Sequence, residues 1–496
     1  MFTLDHPSLE LFEPKFIKLF DCAFGTALQG LASAGFRPGD EWHTEASQMF
    51  QAACLPGFKR AQCAIGLQVI EFEKRIASFK KDESVARGKC DPSSENIKNL
   101  RHILKNRQLV FRRLMDGMIW TLIWPNRWIV RRLRLEGGIR RVDPLTVQPL
   151  LDNISQRDYD SDDKISIICD LTTLAQLGDL IIAQWIPIRK SMKIVVAELK
   201  VGKKNVLLHK LLHDPQIKDE NATISMILED MGPKAAQQAK RMARQEKRLK
   251  DFTHVIATDE GIHPVTGSRF RMTKDANVSK DYRDEIWNLV SRAKKESEIG
   301  FVMEGCLRLI AFVPNAKPTS YEALEIAYMF HKMRCGDPCE SSGMESLNQE
   351  TLAEIASAPK AINLFEFNMT RSIALPPLLW YPRVCMLDVL AGRVKIFAQF
   401  DHNKFFEMAT TLKLKMSFIT GKDAARIKHS KLSGPLVEYS DDRYIKITNS
   451  ENVEILTGAR FFSKIYLDLI RPHDLLLMAN NLVNEAASLK NTSSQN

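Results

Sequence analysis

Two apolar runs joined by a short polar turn constrain this chain more than any other feature. The first opens at Gly178-Asp179 and continues Leu-Ile-Ile-Ala-Gln-Trp-Ile-Pro-Ile; the second is Lys193-Ile-Val-Val-Ala-Glu198-Leu-Lys200. β-Branched and aromatic residues at this density favour strands, and Ile188–Met192 supplies a turn between them. A hairpin centred near Arg189 lays the start of the first strand beside the end of the second. Asp179 then neighbours Glu198 and Lys200. Side chains alternate along a strand, so Glu198 and Lys200 share one face. Two carboxylates and an amine converge on one sheet edge.

That grouping has a chemical use. Carboxylates are hard oxygen ligands for Mg²⁺ or Mn²⁺, ions that keep several waters and accept a substrate phosphate. A metal so held polarises a phosphodiester and acidifies a bound water. The lysine can position that water or offset charge building on the phosphate. The expected chemistry is metal-assisted hydrolysis of a nucleic-acid backbone.

The pattern Gly-Asp-x(18)-Glu-x-Lys resembles the PD-(D/E)xK, or restriction-endonuclease-like, nuclease superfamily. Its surroundings add to the likeness: Ile167-Ile-Cys-Asp-Leu-Thr-Thr173 leads into Leu177-Gly-Asp179, and Gly202-Lys-Lys-Asn205 follows the Glu-x-Lys. A basic helix over Lys234–Leu249 and a strand-like run over Thr253–Thr258 come next. The likeness covers about residues 160–260, and Gly178 stands where the family has proline. It implies an α/β restriction-endonuclease-like core with a mixed sheet, flanked by an N-terminal helical region and a C-terminal α+β region. It also implies Asp179 and Glu198 as metal ligands, with Lys200 as the third catalytic group. Gln238 and Arg241 are the accessory candidates on the basic helix, and Lys203 and Lys204 would lie near substrate phosphates. Asp170 is a further accessory residue, with a cap or turn as its plainer role. Members add an acid from a preceding helix, and Glu136, Asp143, Asp152 and Asp158 all remain open. Members with large flanks are often bacterial restriction or anti-phage factors, which extends the expectation to antiviral defence.

Charge points the same way. The chain has a formal net charge of +10, and the segment from Arg101 to Arg141 holds eleven Arg and Lys against Asp116 and Glu136. Leu104, Phe111, Met115, Met118 and Leu122 form an apolar stripe at helical spacing there. The arginines around it, Arg112, Arg113, Arg131, Arg132 and Arg134 among them, read as a phosphate-binding track. The plainer alternative is that they cover a helix and pair with acids elsewhere. Trp120, Trp124 and Trp128 read as core.

At 496 residues the chain can hold several domains. The expected division is a basic helical region over 1–140, a nuclease-like domain over 141–260, a mixed connecting region over 261–350 and an α+β domain over 351–490. Ile65, Val69, Phe72 and Ile76 mark an amphipathic helix, and Arg87–Glu95 reads as a linker. Strands are expected at Leu307–Val313, Arg393–Phe400 and Arg443–Thr448, and helices at Tyr321–Lys332 and His473–Leu489. Nine scattered cysteines have no framework spacing, so disulfides are not expected. Cys335, Cys339 and His331 lack a second ligand pair for zinc. The most hydrophobic local run, Met118–Trp124, is too short for a bilayer, and no secretory leader is evident. The expected setting is cytoplasmic, without a membrane. DNA is the expected partner, RNA is not excluded, and the C-terminal region is left to an oligomer or a partner protein. Two other classes stay open: a catalytically silent nucleic-acid binder, and an interaction protein with an incidental charged hairpin.

Overall fold

A computed structural model describes residues 13–33, 44–123, 130, 133, 141–158, 162–175, 177–198, 203–213, 219–258, 260–262, 269–271, 281–296, 298–313, 362–371, 374–379, 383–419, 444–457 and 460–493. The fold is α/β, mostly helical, and every pairing among the described strands is antiparallel. The runs expected at Tyr321–Lys332 and Cys335–Cys339 lie outside the described residues.

The chain begins with α1 (Glu13–Phe20) and α2 (Thr26–Ser33), joined by a π-helical turn. The long α3 (Thr44–Gly88) follows and packs along α4 (Ser93–Ile123). Ile65, Val69, Phe72 and Ile76 are all buried, as their spacing predicts. The expected linker is narrower than its composition indicated. Helix continues to Gly88, Cys90 takes a positive φ of 52°, and the Asp91 carboxylate accepts from Ser93 N at 2.8 Å to restart the helix.

From Val110 to Ile123, α4 is buried on every side. A helix apolar all round belongs at the centre of a core. Trp120 is fully buried there, while Trp124 and Trp128 lie outside the described residues.

Helix α5 (Pro144–Asp158) leads into the meander β1 (Lys164–Ile168), β2 (Leu180–Ile186) and β3 (Ser191–Ala197). Ile186 pairs with Ser191 across a turn at Pro187–Lys190, so the hairpin has the expected register. Lys190 closes the turn in the left-handed region, at φ 43°. Ile165, Ile167, Ile181 and Ala183 join the core that holds α3 and α4. Strand β1 is an edge, and Gln62 of α3 satisfies its outer backbone: Nε2 donates to Ser166 O at 2.8 Å and Oε1 accepts from Ile168 N at 3.0 Å. A buried amide used this way removes two orphan backbone groups.

Helices α6 (Lys203–Leu212), α7 (Glu220–Met231) and α8 (Pro233–Thr258) come next. They share a small core of their own: Leu208, Ile224, Ile227, Ala235, Ala236, Ala239 and Met242. The strand expected at Thr253–Thr258 is the last part of α8. Apolar residues there are too few to decide between a strand and a helix by periodicity, and the helix already under way continues.

A short hairpin, β4 (Glu260–Ile262) with β5 (Arg269–Arg271), precedes α9 (Arg283–Glu296). A second sheet has the order β6-β7-β9-β8, from β6 (Glu298–Met303), β7 (Leu307–Phe312), β8 (Ile362–Asn363) and β9 (Lys395–Phe400). Between β8 and β9 lie α10 (Leu364–Thr370) and α11 (Arg383–Leu390). After α12 (His402–Ala409), a third sheet joins β10 (Lys415–Phe418), β11 (Ile445–Thr448) and β12 (Glu454–Thr457). Helices α13 (Arg460–Asp468) and α14 (Pro472–Ser493) end the described chain. The strands expected near 307, 393 and 443 are present, as is the last helix. The boundary expected at 350 falls within the second sheet, because β7 pairs with β9 along its full length. One hydrophobic cluster runs from Phe16 to Val483 through all three larger sheets and α3, α4 and α5.

Candidate active site

Asp179 stands immediately before β2 and is gripped from both sides. Its carbonyl accepts from Cys169 N at 2.9 Å, beyond the end of β1, and its N–H donates to Ala197 O at 2.9 Å, at the end of β3. Ala197 is also the register partner of Leu180, the first residue of β2. Glu198 follows Ala197 directly. Asp179 and Glu198 are therefore brought to one end of the meander, both half-buried. Lys200 lies outside the described residues.

Gly178 explains how the chain reaches this position. It has φ +71°, and an added Cβ would lie 2.5 Å from Val196 Cγ1 and 2.9 Å from Ala197 O. Only glycine fits that combination of angle and space. Proline, with φ fixed near −65°, cannot replace it without a different approach to Asp179.

The loop before Gly178 is anchored from α4. Asp116, fully buried, accepts from Thr173 N at 2.8 Å and Leu174 N at 3.1 Å, and also from Thr173 Oγ1. Arg113, also fully buried, donates to Asp116 Oδ2 at 2.7 Å. Its other terminal nitrogen donates to Asn368 O and Ala374 O, each at 2.9 Å. Arg112 donates to Asp170 O at 3.2 Å and to Thr172 O. Burial pushes the Arg112 guanidinium down to about 10, with Asp116, Asp170 and Glu73 opposing the shift. Burial lowers Arg113 too, and Asp116 opposes it.

These contacts correct one expectation. Arg112 and Arg113 are not part of a phosphate track; their guanidinium groups are spent on backbone carbonyls and Asp116 inside the core. Arg131, Arg132 and Arg134 lie outside the described residues. A signal for the correction was present: Arg113 and Asp116 at i, i+3, and Arg112 and Asp116 at i, i+4, are the charges within an otherwise apolar stretch from Val110 to Ile123. Nothing local marks Gln62 as the partner of β1.

The remaining site residues are placed as follows. Asp170 is half-buried in the 3₁₀ turn after β1, next in chain to the Cys169 that bonds Asp179. Lys203 and Lys204 open α6, five and six residues beyond Glu198. Gln238 and Arg241 are on α8, whose buried side faces α6 and α7; Gln238 is half-buried and Arg241 exposed. Of the acids weighed for a third ligand, Asp143 caps α5 by accepting from Leu145 N at 3.0 Å, and Asp152 accepts from Gln148 Nε2 at 3.1 Å. Glu136 lies outside the described residues, and Asp158 ends α5.

No protein family, curated protein or solved structure matches the chain.

Among the described residues, no group of three or more His, Cys, Asp or Glu gathers to hold a metal ion. The hairpin end offers two carboxylates instead. Mg²⁺ commonly takes one or two carboxylates and completes its shell with water and substrate phosphate, so the donor chemistry fits an open Mg²⁺ or Mn²⁺ site. Among the described residues no helix is long and apolar enough to cross a membrane. The described cysteines are all free.

Proposed function

We infer that the chain is a metal-dependent nuclease that hydrolyses DNA phosphodiester bonds at the end of the β1–β3 meander. The observation that carries this reading is the bond from Asp179 N to Ala197 O, which brings Asp179 beside the strand end occupied by Glu198. Asp179 and Glu198 are the residues that would hold Mg²⁺ or Mn²⁺. When bound, the ion would supply a polarised phosphodiester and an acidified water.

The chain's own groups supply the rest. The clamped backbone of Asp179 fixes one ligand from two directions, and preorganisation of this kind keeps a site effective. Lys200 is the group we assign to offset charge on the phosphate. Asp170 acts through the loop by its backbone bond with Arg112. The resemblance to restriction-endonuclease-like nucleases supports the same reading through residues 178–200. Restriction or anti-phage defence is the setting that resemblance brings with it.

The test is nicking of supercoiled plasmid with Mg²⁺ or Mn²⁺ by wild type and Glu198→Ala. Metal-dependent nicking that falls at least about a hundredfold in the variant, at an unchanged melting temperature, supports the reading. Nicking that persists in the variant removes Glu198 from the chemistry.

A further inference from the structure

Outside the hairpin end, helix α8 presents a strongly charged surface among the described residues. Helix α8 buries Ala235, Ala236, Ala239 and Met242 against α6 and α7. Its opposite face exposes Lys240, Arg241, Arg244 and Lys247. Lys240, Arg244 and Lys247 recur at spacings of four and three, so they form one row, with Arg241 beside it. Lys234 is exposed one to two turns earlier. Two acids lie among these residues. Asp251 stands exposed at the C-terminal end of the row. Glu246 is engaged away from it, 2.8 Å from His213 Nε2 of the turn after α6 and 3.0 Å from Lys250 Nζ.

We propose that this exposed face of α8 is a docking ridge for the phosphate backbone of duplex DNA, a proposal that rests on the nuclease reading of the hairpin end. The row and a phosphate backbone are complementary in charge. Like charges at i, i+3 and i, i+4 repel along a helix, and a polyanion laid along the row turns that repulsion into attraction. From Lys234 to Lys247 the helix rises about 20 Å, and a duplex presents one phosphate charge per roughly 1.7 Å over such a span. The small buried alanines bring α8 close onto its neighbours and leave the long basic side chains as the raised feature of that surface. Chain connectivity adds to the case: α6, against which α8 packs, begins five residues after Glu198.

The test measures binding of a short fluorescent DNA duplex to the full chain in EDTA, from about 50 to 200 mM salt. The variant carries Lys240→Gln, Arg244→Gln and Lys247→Gln together. Glutamine is nearly as good a helix former as lysine or arginine, and circular dichroism checks the fold. A control carries Lys74→Gln, Lys80→Gln and Lys81→Gln, three exposed lysines of α3. The ridge predicts at least about tenfold weaker binding in the α8 variant at the lower salt, and a log–log salt slope shallower by roughly two to three. The control should bind as wild type. The proposal is overturned if wild type fails to bind, if the α8 variant binds as wild type, or if the control weakens equally. Displacement of the duplex by polyglutamate as readily as by unlabelled DNA would also overturn it, in favour of an acidic protein partner. Binding in EDTA needs neither Asp179 nor Glu198. A chain that binds through the ridge but never cuts therefore refutes the nuclease reading alone, and cutting unaffected by the α8 variant, with binding also unaffected, refutes the ridge alone.

Discussion

Helices α4 and α8 are both rich in arginine, and the fold treats them in opposite ways. In α4, Arg112 and Arg113 sit within a stretch buried on every side and are buried with Asp116. In α8 the apolar residues keep to one face, and Arg241 and Arg244 are exposed on the other. Net charge per segment does not distinguish these outcomes; the angular distribution of the apolar residues does. A charge inside an all-apolar helix must find a partner in the core. A charge opposite a narrow apolar stripe stays in water and is available to a ligand.

The largest expected contrast follows from this. Asp116→Ala leaves Arg113 buried without its carboxylate and frees Thr173 N and Leu174 N, so unfolding should become easier by about 3–5 kcal/mol in urea titration. The triple glutamine variant of α8 should change stability by no more than about 0.5 kcal/mol per residue. Equal losses in the two helices would break the comparison. Replacing the pair together, Arg113→Met with Asp116→Leu, sharpens it: the stranded charge is gone and part of the loss should return, while Thr173 N, Leu174 N and the carbonyls of Asn368 and Ala374 still lack those partners. The loop at 172–174 would still lose its anchor, so plasmid nicking should stay impaired despite the partly recovered stability.

Gly178→Ala comes next. A side chain at positive φ costs on the order of 1–3 kcal/mol, and here Val196 and the Ala197 carbonyl must also yield. Because the shift falls on the residue before Asp179, nicking should drop further than the stability loss alone explains. Unchanged nicking with a lower melting temperature would show that Asp179 tolerates the displacement.

The smallest effect concerns the α6–α8 contact. Burial acts to raise the Glu246 carboxyl, but Lys250 and His213 outweigh it and hold the group below its ordinary range. A carboxylate lowered in the folded state stabilises above its unfolded pKa, and that contribution is lost as pH falls through the folded value. Glu246→Gln should therefore cost under about 1 kcal/mol near neutrality, a partly exposed pair being screened. Melting temperatures of the two proteins should converge in acid, below the usual carboxylate range. A gap that widens in acid would contradict the assignment.

The sequence made the hairpin legible because strand-forming runs, a turn and a period of two agree over residues 179–198. The register that brings Asp179 to Glu198 follows from those local signals. The buried network was harder to read, since Arg113 bonds Asn368 and Ala374 across more than two hundred residues. Gln62 likewise meets β1 from over a hundred residues away. The C-terminal half of α8 misled for another reason: Val255-Ile-Ala fits a strand locally, and only the helix running into it decides. Strand pairing between β7 and β9 crosses the position expected as a boundary near 350 and leaves no mark in composition.

The most direct test of the hairpin end is a calorimetric Mn²⁺ titration of the full chain beside Asp179→Asn and Glu198→Gln. The account predicts one Mn²⁺ per wild-type chain, with binding weakened at least about tenfold in each variant while both remain folded. Wild-type binding that survives both substitutions unchanged would contradict it, as would a wild-type chain that takes up no Mn²⁺ even with a DNA duplex present.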